Sequence, residues 1–409
     1  MSLISPFAGL RPAPGRAADV AAPPYDVMSA SEARRMVEGR PWSFLHISRP
    51  EVDLPEGSDP YAHAVYAKAR ENLERMRSAG VLARDPSPRY YAYRLTMGDH
   101  QQTGLVAAAS VRAYDSNRIK KHELTRPVKE DDRVRQIEAL DAQTGPVFLV
   151  YRANRAIDDL LARLCAAPPE VEVTAADSVR HELWCIASAD DIAFLTQAFD
   201  ALDALYVADG HHRSAAASRV AANRRSAAGD QGDSGFLSVI FPHDQMQILD
   251  YNRVVKDLNG LSADAFLARL HDAFRVTRAE TPVKPGEPGS FGMYLQGAWY
   301  RLHLDPSRIP SDDPVAKLDV SLLQNHLIGP ILGIADPRRD ERIDFVGGIR
   351  GLEGLVARVD SGEMAVAFAL YPTSMVDLMS VADAGEVMPP KSTWFEPKLA
   401  DGLVSLVLD

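Results

Sequence analysis

Between Leu205 and Asn223 the chain passes from a short apolar run through Ala208-Asp209-Gly210-His211-His212-Arg213 into an alanine-rich segment. The spacing predicts a strand over 205–208 and a helix to about Asn223, with a glycine turn between them. That geometry suits an anion. Gly210 lets the backbone approach a ligand closely. The helix N-terminus offers unpaired N–H groups and a partial positive charge. Arg213 can grip phosphate oxygens in two parallel bonds, and His211 and His212 add donors. Asp209 can hold Mg²⁺ or take a proton. An ordinary helix cap accounts for Asp209 but leaves the His-His-Arg triplet unexplained. The two histidines are adjacent, so on a helix they point in different directions and make a poor pair for one metal.

Three other segments carry reactive side chains. Lys120-Lys121-His122-Glu123-Leu124-Thr125-Arg126, followed by Lys129-Glu130-Asp131-Asp132-Arg133, can supply a general base and phosphate ligands; a solvated charged face is the plainer reading. Met388-Pro389-Pro390-Lys391-Ser392-Thr393-Trp394-Phe395-Glu396-Pro397-Lys398 offers donors at Lys391, Ser392 and Thr393. Trp394 and Phe395 can close a pocket or simply pack on the core. Pro23-Pro24-Tyr25-Asp26 is rigid and can line a substrate site or serve as a strap. The loop Asp340 to Gly348 reads equally as a binding loop or a charged turn before a strand. Walker A, Gly-x-Ser-x-Gly and His-Glu-x-x-His patterns are absent from the sequence.

The elements that must position these residues follow from periodicity. Helices are expected over 29–39, 60–80, 130–143, 156–166, 189–202, 262–273, 319–333 and 374–381. Strands are expected over 90–97, 104–113, 147–151, 171–173, 182–186, 236–241 and 365–370, with a hairpin over 290–304 turning at Gly297 and a small-residue loop over 226–235. The mixture has no βαβ rhythm, which argues against a Rossmann fold or TIM barrel and for an α+β protein with a mixed sheet in several layers. Three parts are expected: an N-terminal segment 1–85 packing on a core 86–241, and a C-terminal α+β domain 242–409 that contributes a strap. The 409 residues are 46% hydrophobic and 25% charged, ordinary for a globular chain. Net charge is −11, from 45 basic and 56 acidic residues, which disfavours a nucleic-acid partner. Cys165 and Cys185 have no metal-ligand spacing. No apolar stretch is long enough for a membrane span, and the N-terminus lacks a signal-peptide pattern, so a soluble cytoplasmic protein is expected.

Four of these segments, in order, resemble the signatures of the bacterial and archaeal domain-of-unknown-function family numbered 1015: Ala22 to Val27, Lys121 to Thr125, Ala208 to Arg213 and Pro389 to Phe395. The Asp209 turn alone is also similar to the phosphate-binding motif of the ParB and sulfiredoxin superfamily, which includes free serine kinases. That likeness implies a ParB/sulfiredoxin-like core over 86–241. It implies that Asp209, Gly210, His211, His212 and Arg213 hold nucleotide phosphates and a metal, with Asp209 the metal ligand. Glu123 is the candidate for the kinases' catalytic glutamate and Asp26 the second choice. The sulfiredoxin cysteine has no counterpart, since His211 stands in its place. Expected function is therefore phosphorylation of a small hydroxyl compound, with L-serine the best guess, ATP or ADP as donor and Mg²⁺ as cofactor. Lys129, Arg133 and Lys391 are added as phosphate ligands, and Tyr25, Asp26, His122, Thr125, Ser392, Thr393 and Trp394 as substrate contacts. A non-catalytic nucleotide-binding module and a hydrolase of a phosphorylated or amide substrate are the alternatives.

Overall fold

The computed structural model describes residues 2–228 and 234–408. Its contacts divide the chain into two compact units, Met1–Met246 with Pro397–Asp409, and Gln247–Glu396. Residues 1–85 and 86–241 fall in one unit, and strands of the N-terminal segment pair within it. Ile4–Ser5 pairs with His100–Ser110, and Leu10–Pro12 pairs with Leu82–Arg84. The last residues return to this unit as well, where Leu406 pairs with Gln143 and Asp401 bridges Ala22.

The first unit is built on a nine-stranded mixed sheet. Its order is Ile119–Lys120, Leu205–Asp209, Val147–Tyr151, Gly235–Pro242, His100–Ser110, Tyr90–Met97, Arg180–Ile186 and Val171–Thr174, with Ile4–Ser5 beside His100–Ser110. Leu205–Asp209 is parallel to Ile119–Lys120 and antiparallel to Val147–Tyr151. Short interior strands need apolar residues on both faces, and Leu205, Tyr206, Val207 and Ala208 are all buried. The α+β class with a large mixed sheet is therefore present. One apolar layer joins Leu105, Leu149, Val207 and Ile240 to Leu160, Leu195, Phe199 and Ala217 of the covering helices.

Local signals set the helix starts. Ser29 and Glu32 form a reciprocal capping box before Ala30–Val37. Ser188 caps Ala189–Asp200, and Asn154 caps Arg155–Leu164. Pro127 opens Pro127–Leu140, where a missing N–H costs nothing. The helix after the glycine turn runs from His211 to Ala228, past the expected stop near Asn223 and into the expected loop. Residues 229–233 of that loop lie outside the described residues.

The second unit holds a six-stranded antiparallel sheet: Phe274–Ala279, Ala298–Leu304, Ser290–Leu295, Val366–Ala369, Tyr251–Val255 and Ile343–Gly347. The expected hairpin turns at Gln296-Gly297, both with positive φ, as a tight two-residue turn requires. The helix expected over 319–333 is shorter. Asp319–Leu323 gives way to a wider turn over Gln324–Ile328, where Gly329 N–H reaches the Gln324 carbonyl at 2.8 Å. Asp340 to Gly348 is the charged turn before a strand, with Arg342 bound to Asp340. Among the described residues, no helix is long and apolar enough to cross a membrane.

Candidate functional site

The turn after Leu205–Asp209 is shaped by two local features. The pairing register shifts between Val207 and Asp209, a bulge that re-aims the aspartate at the strand end. Gly210 then adopts φ +97°, a conformation that strongly favours glycine. A Cβ there would also come within 2.9 Å of Arg213 Nε. The helix begins at His211, with Arg213 and Ser214 N–H groups donating to the Gly210 carbonyl. Asp209 remains partly exposed, and its Oδ2 lies 3.3 Å from Lys398 Nζ and 3.9 Å from Arg213. Burial alone would raise its pKa, but Lys398 and Arg213 outweigh that and hold the carboxylate ionised, well below its usual range.

His211 is buried behind the turn. Its Nε2 accepts from the His122 backbone N–H at 3.5 Å, and its Nδ1 lies 3.7 Å from Glu123 Oε2. The rings of His122 and His211 meet edge to face, 4.5 Å between centroids. Burial, reinforced by His122, drives the His211 pKa far below the ordinary value, and burial takes His122 down to about 4. Both imidazoles are therefore neutral near pH 7. With Nε2 accepting, the His211 proton sits on Nδ1 and faces Glu123. His212 points elsewhere. Its Nε2 accepts the Arg126 backbone N–H at 2.9 Å, pinning the start of Pro127–Leu140 to the turn. That helix and the one from His211 share the apolar cluster Val134, Ile137, Ala216 and Val220.

The N-terminal segment reaches the same place. Arg49 donates to the carbonyls of Tyr25 and Met28 at 2.8 Å each, which fixes the loop after Pro24. Asp26 interacts electrostatically with His212, Arg213 and Arg133. The Arg133 guanidinium lies 4.0 Å over the Tyr25 ring and is bound to Asp132. Burial lifts the Tyr25 phenol to about 12, with Arg133 pulling the other way. Arg213 is buried, gives its NH1 to the Pro146 carbonyl at 2.7 Å, and among the described residues has no partner at Nε.

The structure thus brings Tyr25, Asp26, His122, Glu123, Arg133, Asp209, Gly210, His211, His212 and Arg213 into one region of the first unit. Thr125 is spent on Glu130 at 2.8 Å, and Lys129 donates to the Tyr61 hydroxyl. Lys391, Ser392, Thr393 and Trp394 belong to the second unit. There, Lys391 Nζ sits 5.5 Å over Tyr251, Ser392 donates to the Pro389 carbonyl, and Trp394 packs edge-on against Tyr251. Two residues were missed by sequence reasoning. Lys398, the last residue of the quoted C-terminal segment, is the lysine that meets Asp209. Asp401, buried near Arg213, carried no signal beyond lying just after that segment.

Among the described residues, no group of three or more His, Cys, Asp or Glu side chains could hold a metal. A Mg²⁺ ion that brings phosphate and water ligands needs one or two protein carboxylates, which Asp209 fits through one partly exposed group.

A family model described as "protein of unknown function (DUF1015)" matches residues 4–321. The chain belongs to this family. No curated protein matches it. Among solved structures, a conserved hypothetical protein from Pyrococcus furiosus is 14% identical at TM-score 0.35, covering 74% of this chain and 94% of that one. A free serine kinase in complex with AMP is 13% identical at TM-score 0.34, covering 71% and 86%. SbnI from Staphylococcus aureus, truncated at its C-terminus, is 12% identical at TM-score 0.37, covering 74% and 87%. Likeness of this degree does not extend to activity.

Proposed function

We propose that this DUF1015 protein is a nucleotide-dependent small-molecule kinase whose phosphate site is a ParB/sulfiredoxin-like turn at Asp209, with free L-serine as the first acceptor to test. The observation that carries the reading is the meeting of Glu123 with a glycine turn and helix N-terminus through neutral His211. A helix start binds phosphate oxygens, and a carboxylate beside it can receive a proton.

In this reading the amides at the start of His211–Ala228 hold the donor's phosphates, and Lys398 and Arg213 neutralise charge around them. Glu123 takes the proton from the acceptor hydroxyl. That oxygen forms a bond to the terminal phosphorus as the bond to the leaving nucleotide oxygen breaks. His211 keeps Glu123 in place and, being neutral, leaves its charge available for the proton. Asp209 would be the carboxylate for Mg²⁺, which when bound neutralises phosphate charge.

Purified protein incubated with Mg-ATP or Mg-ADP and L-serine is expected to yield O-phosphoserine, read by mass spectrometry. Nucleotide binding without transfer to serine or any related hydroxy compound would overturn the kinase reading in favour of a binding module.

A further inference from the structure

Beside the turn, inside the first unit, lies a cavity of about 30 Å³, room for one or two water-sized groups. Tyr25, Ser48, Arg133, Gly145, Arg213 and Asp401 are in its wall. Asp401 is 1% exposed, yet among the described residues neither carboxylate oxygen has a hydrogen-bond partner, and Ser48 Oγ in the same wall has none either. The Tyr25 backbone N–H stabilises the Asp401 charge without meeting hydrogen-bond geometry. The two cations of the wall lend Asp401 charge but no hydrogen bond, and most of their donors are engaged elsewhere. Arg133 holds Asp132 and covers Tyr25, while Arg213 gives NH1 to Pro146 and turns NH2 toward Asp209.

What remains in the wall is mostly acceptor capacity, two carboxylate oxygens and a hydroxyl, against one spare donor at Arg213 Nε. Buried polar atoms are seldom left unsatisfied, and each exception calls for an explanation. A water-sized group with several N–H donors and a positive charge satisfies all three atoms, and an ammonium group is that size and charge. We propose that this cavity seats the ammonium group of the acceptor, so that the substrates are hydroxy compounds bearing a primary amine and Asp401 is the residue that selects them. This rests on the kinase reading for the hydroxyl, but not for the amine. Arg213 links the two places, since it lines the cavity and also lies beside Asp209. The backbone leaves little slack: a methyl at Gly145 would stand 3.3 Å from Arg213 Cδ and 3.7 Å from Asp401 Oδ1.

Calorimetry on the full chain with L-serine, ethanolamine and 3-hydroxypropionate tests the assignment. Wild type is expected to prefer the two amines over the acid that lacks one. Asp401→Asn, nearly isosteric, is expected to reduce that preference by about 10- to 100-fold, the usual range for losing a charged hydrogen bond. Gly145→Ala, which crowds the cavity without removing a charge, should also weaken amine binding, and serves if Asp401→Asn does not fold. An unchanged preference in either folded variant would overturn the proposal, as would wild type that binds neither amine. Ammonium chloride that binds wild type without competing with L-serine would assign the cavity to the free ion and also overturn it. Serine binding that depends on Asp401 without any phosphoryl transfer would defeat the kinase reading and leave this one standing.

Discussion

Arg213 in the first unit and Arg253 in the second are both buried, and they are compensated in different ways. Among the described residues, Arg253 meets only carbonyls and a ring. It donates to the backbone oxygens of Tyr251, Lys391 and Pro390 and lies 5.0 Å over Phe345. With no carboxylate near enough to offset burial, its pKa falls to about 9. Arg213 keeps one bond to a carbonyl and leaves Nε without a partner, among Asp26, Asp209 and Asp401. Those carboxylates overcome burial and raise its pKa. A buried cation whose donors are spent on backbone acts as a latch. One surrounded by several partly satisfied charges is a candidate site, because those charges have capacity left for a ligand.

The comparison is sharpest in activity. If the first region is a site, Glu123→Gln should cut phosphoryl transfer by about 10²- to 10⁴-fold while nucleotide affinity and melting temperature hold, since only the proton acceptor is lost. Transfer that survives this change would move the base to Asp26. Next in size is stability. Arg213→Met removes the cation that Asp26, Asp209 and Asp401 share, leaving Asp209 to Lys398, and should cost about 3–5 kcal/mol in denaturant melts. Arg253→Met strands carbonyls alone and should cost about 1–3 kcal/mol. Equal losses would erase the distinction.

Asp401 sharpens it further through pH. Burial raises its pKa from 3.8 to about 7, only partly opposed by Arg213. Between those two values the folded state holds a proton that the unfolded state has released. Stability from this group is therefore present below about pH 4 and is lost as pH rises through 7. Asp401→Asn should accordingly be more stable than wild type at pH 8, on the order of 1–3 kcal/mol by thermal melts, with the gain shrinking toward pH 5. No gain at pH 8 would mean that Asp401 is already satisfied within the chain.

The sequence made some of this legible and hid the rest for physical reasons. The apolar run 205–208, the glycine and the alanine-rich segment announced the strand, turn and helix, because each depends on neighbours in the chain. The charged run at 120–126 was ambiguous alone. It joins the candidate site through His122 and Arg126, whose backbone N–H groups meet His211 and His212. Nothing local predicts such a pairing. Lys391 and Lys398 differ in sequence only by position, and the backbone path decides which lysine reaches Asp209. Asp401 gave no signal because its neighbours are loop residues, and its burial comes from the bridge to Ala22 far away in the chain. The merging of 1–85 with the core has the same origin, in pairings such as Leu10 with Arg84 and Ser405.

His212 gives the smallest effect and the most direct contest between latch and site. As a phosphate ligand it should matter to nucleotide affinity; as a pin on the Arg126 amide it should matter to the fold. The pin needs an unprotonated Nε2, and burial together with Arg126 keeps the His212 pKa below its ordinary value. A histidine depressed in the folded state contributes stability that is present above about pH 6.5, the unfolded value, and is lost as pH falls from there through the folded pKa. His212→Ala should therefore lower stability by about 1 kcal/mol at pH 7.5, the ordinary worth of one hydrogen bond. The gap from wild type should narrow as pH approaches 5. Nucleotide affinity measured beside it should change by less than about tenfold, within what one displaced helix start can cause. A larger loss of affinity with an unchanged melt would put the His212 ring on phosphate, and the sequence-level assignment would then outrank the geometry of the pin.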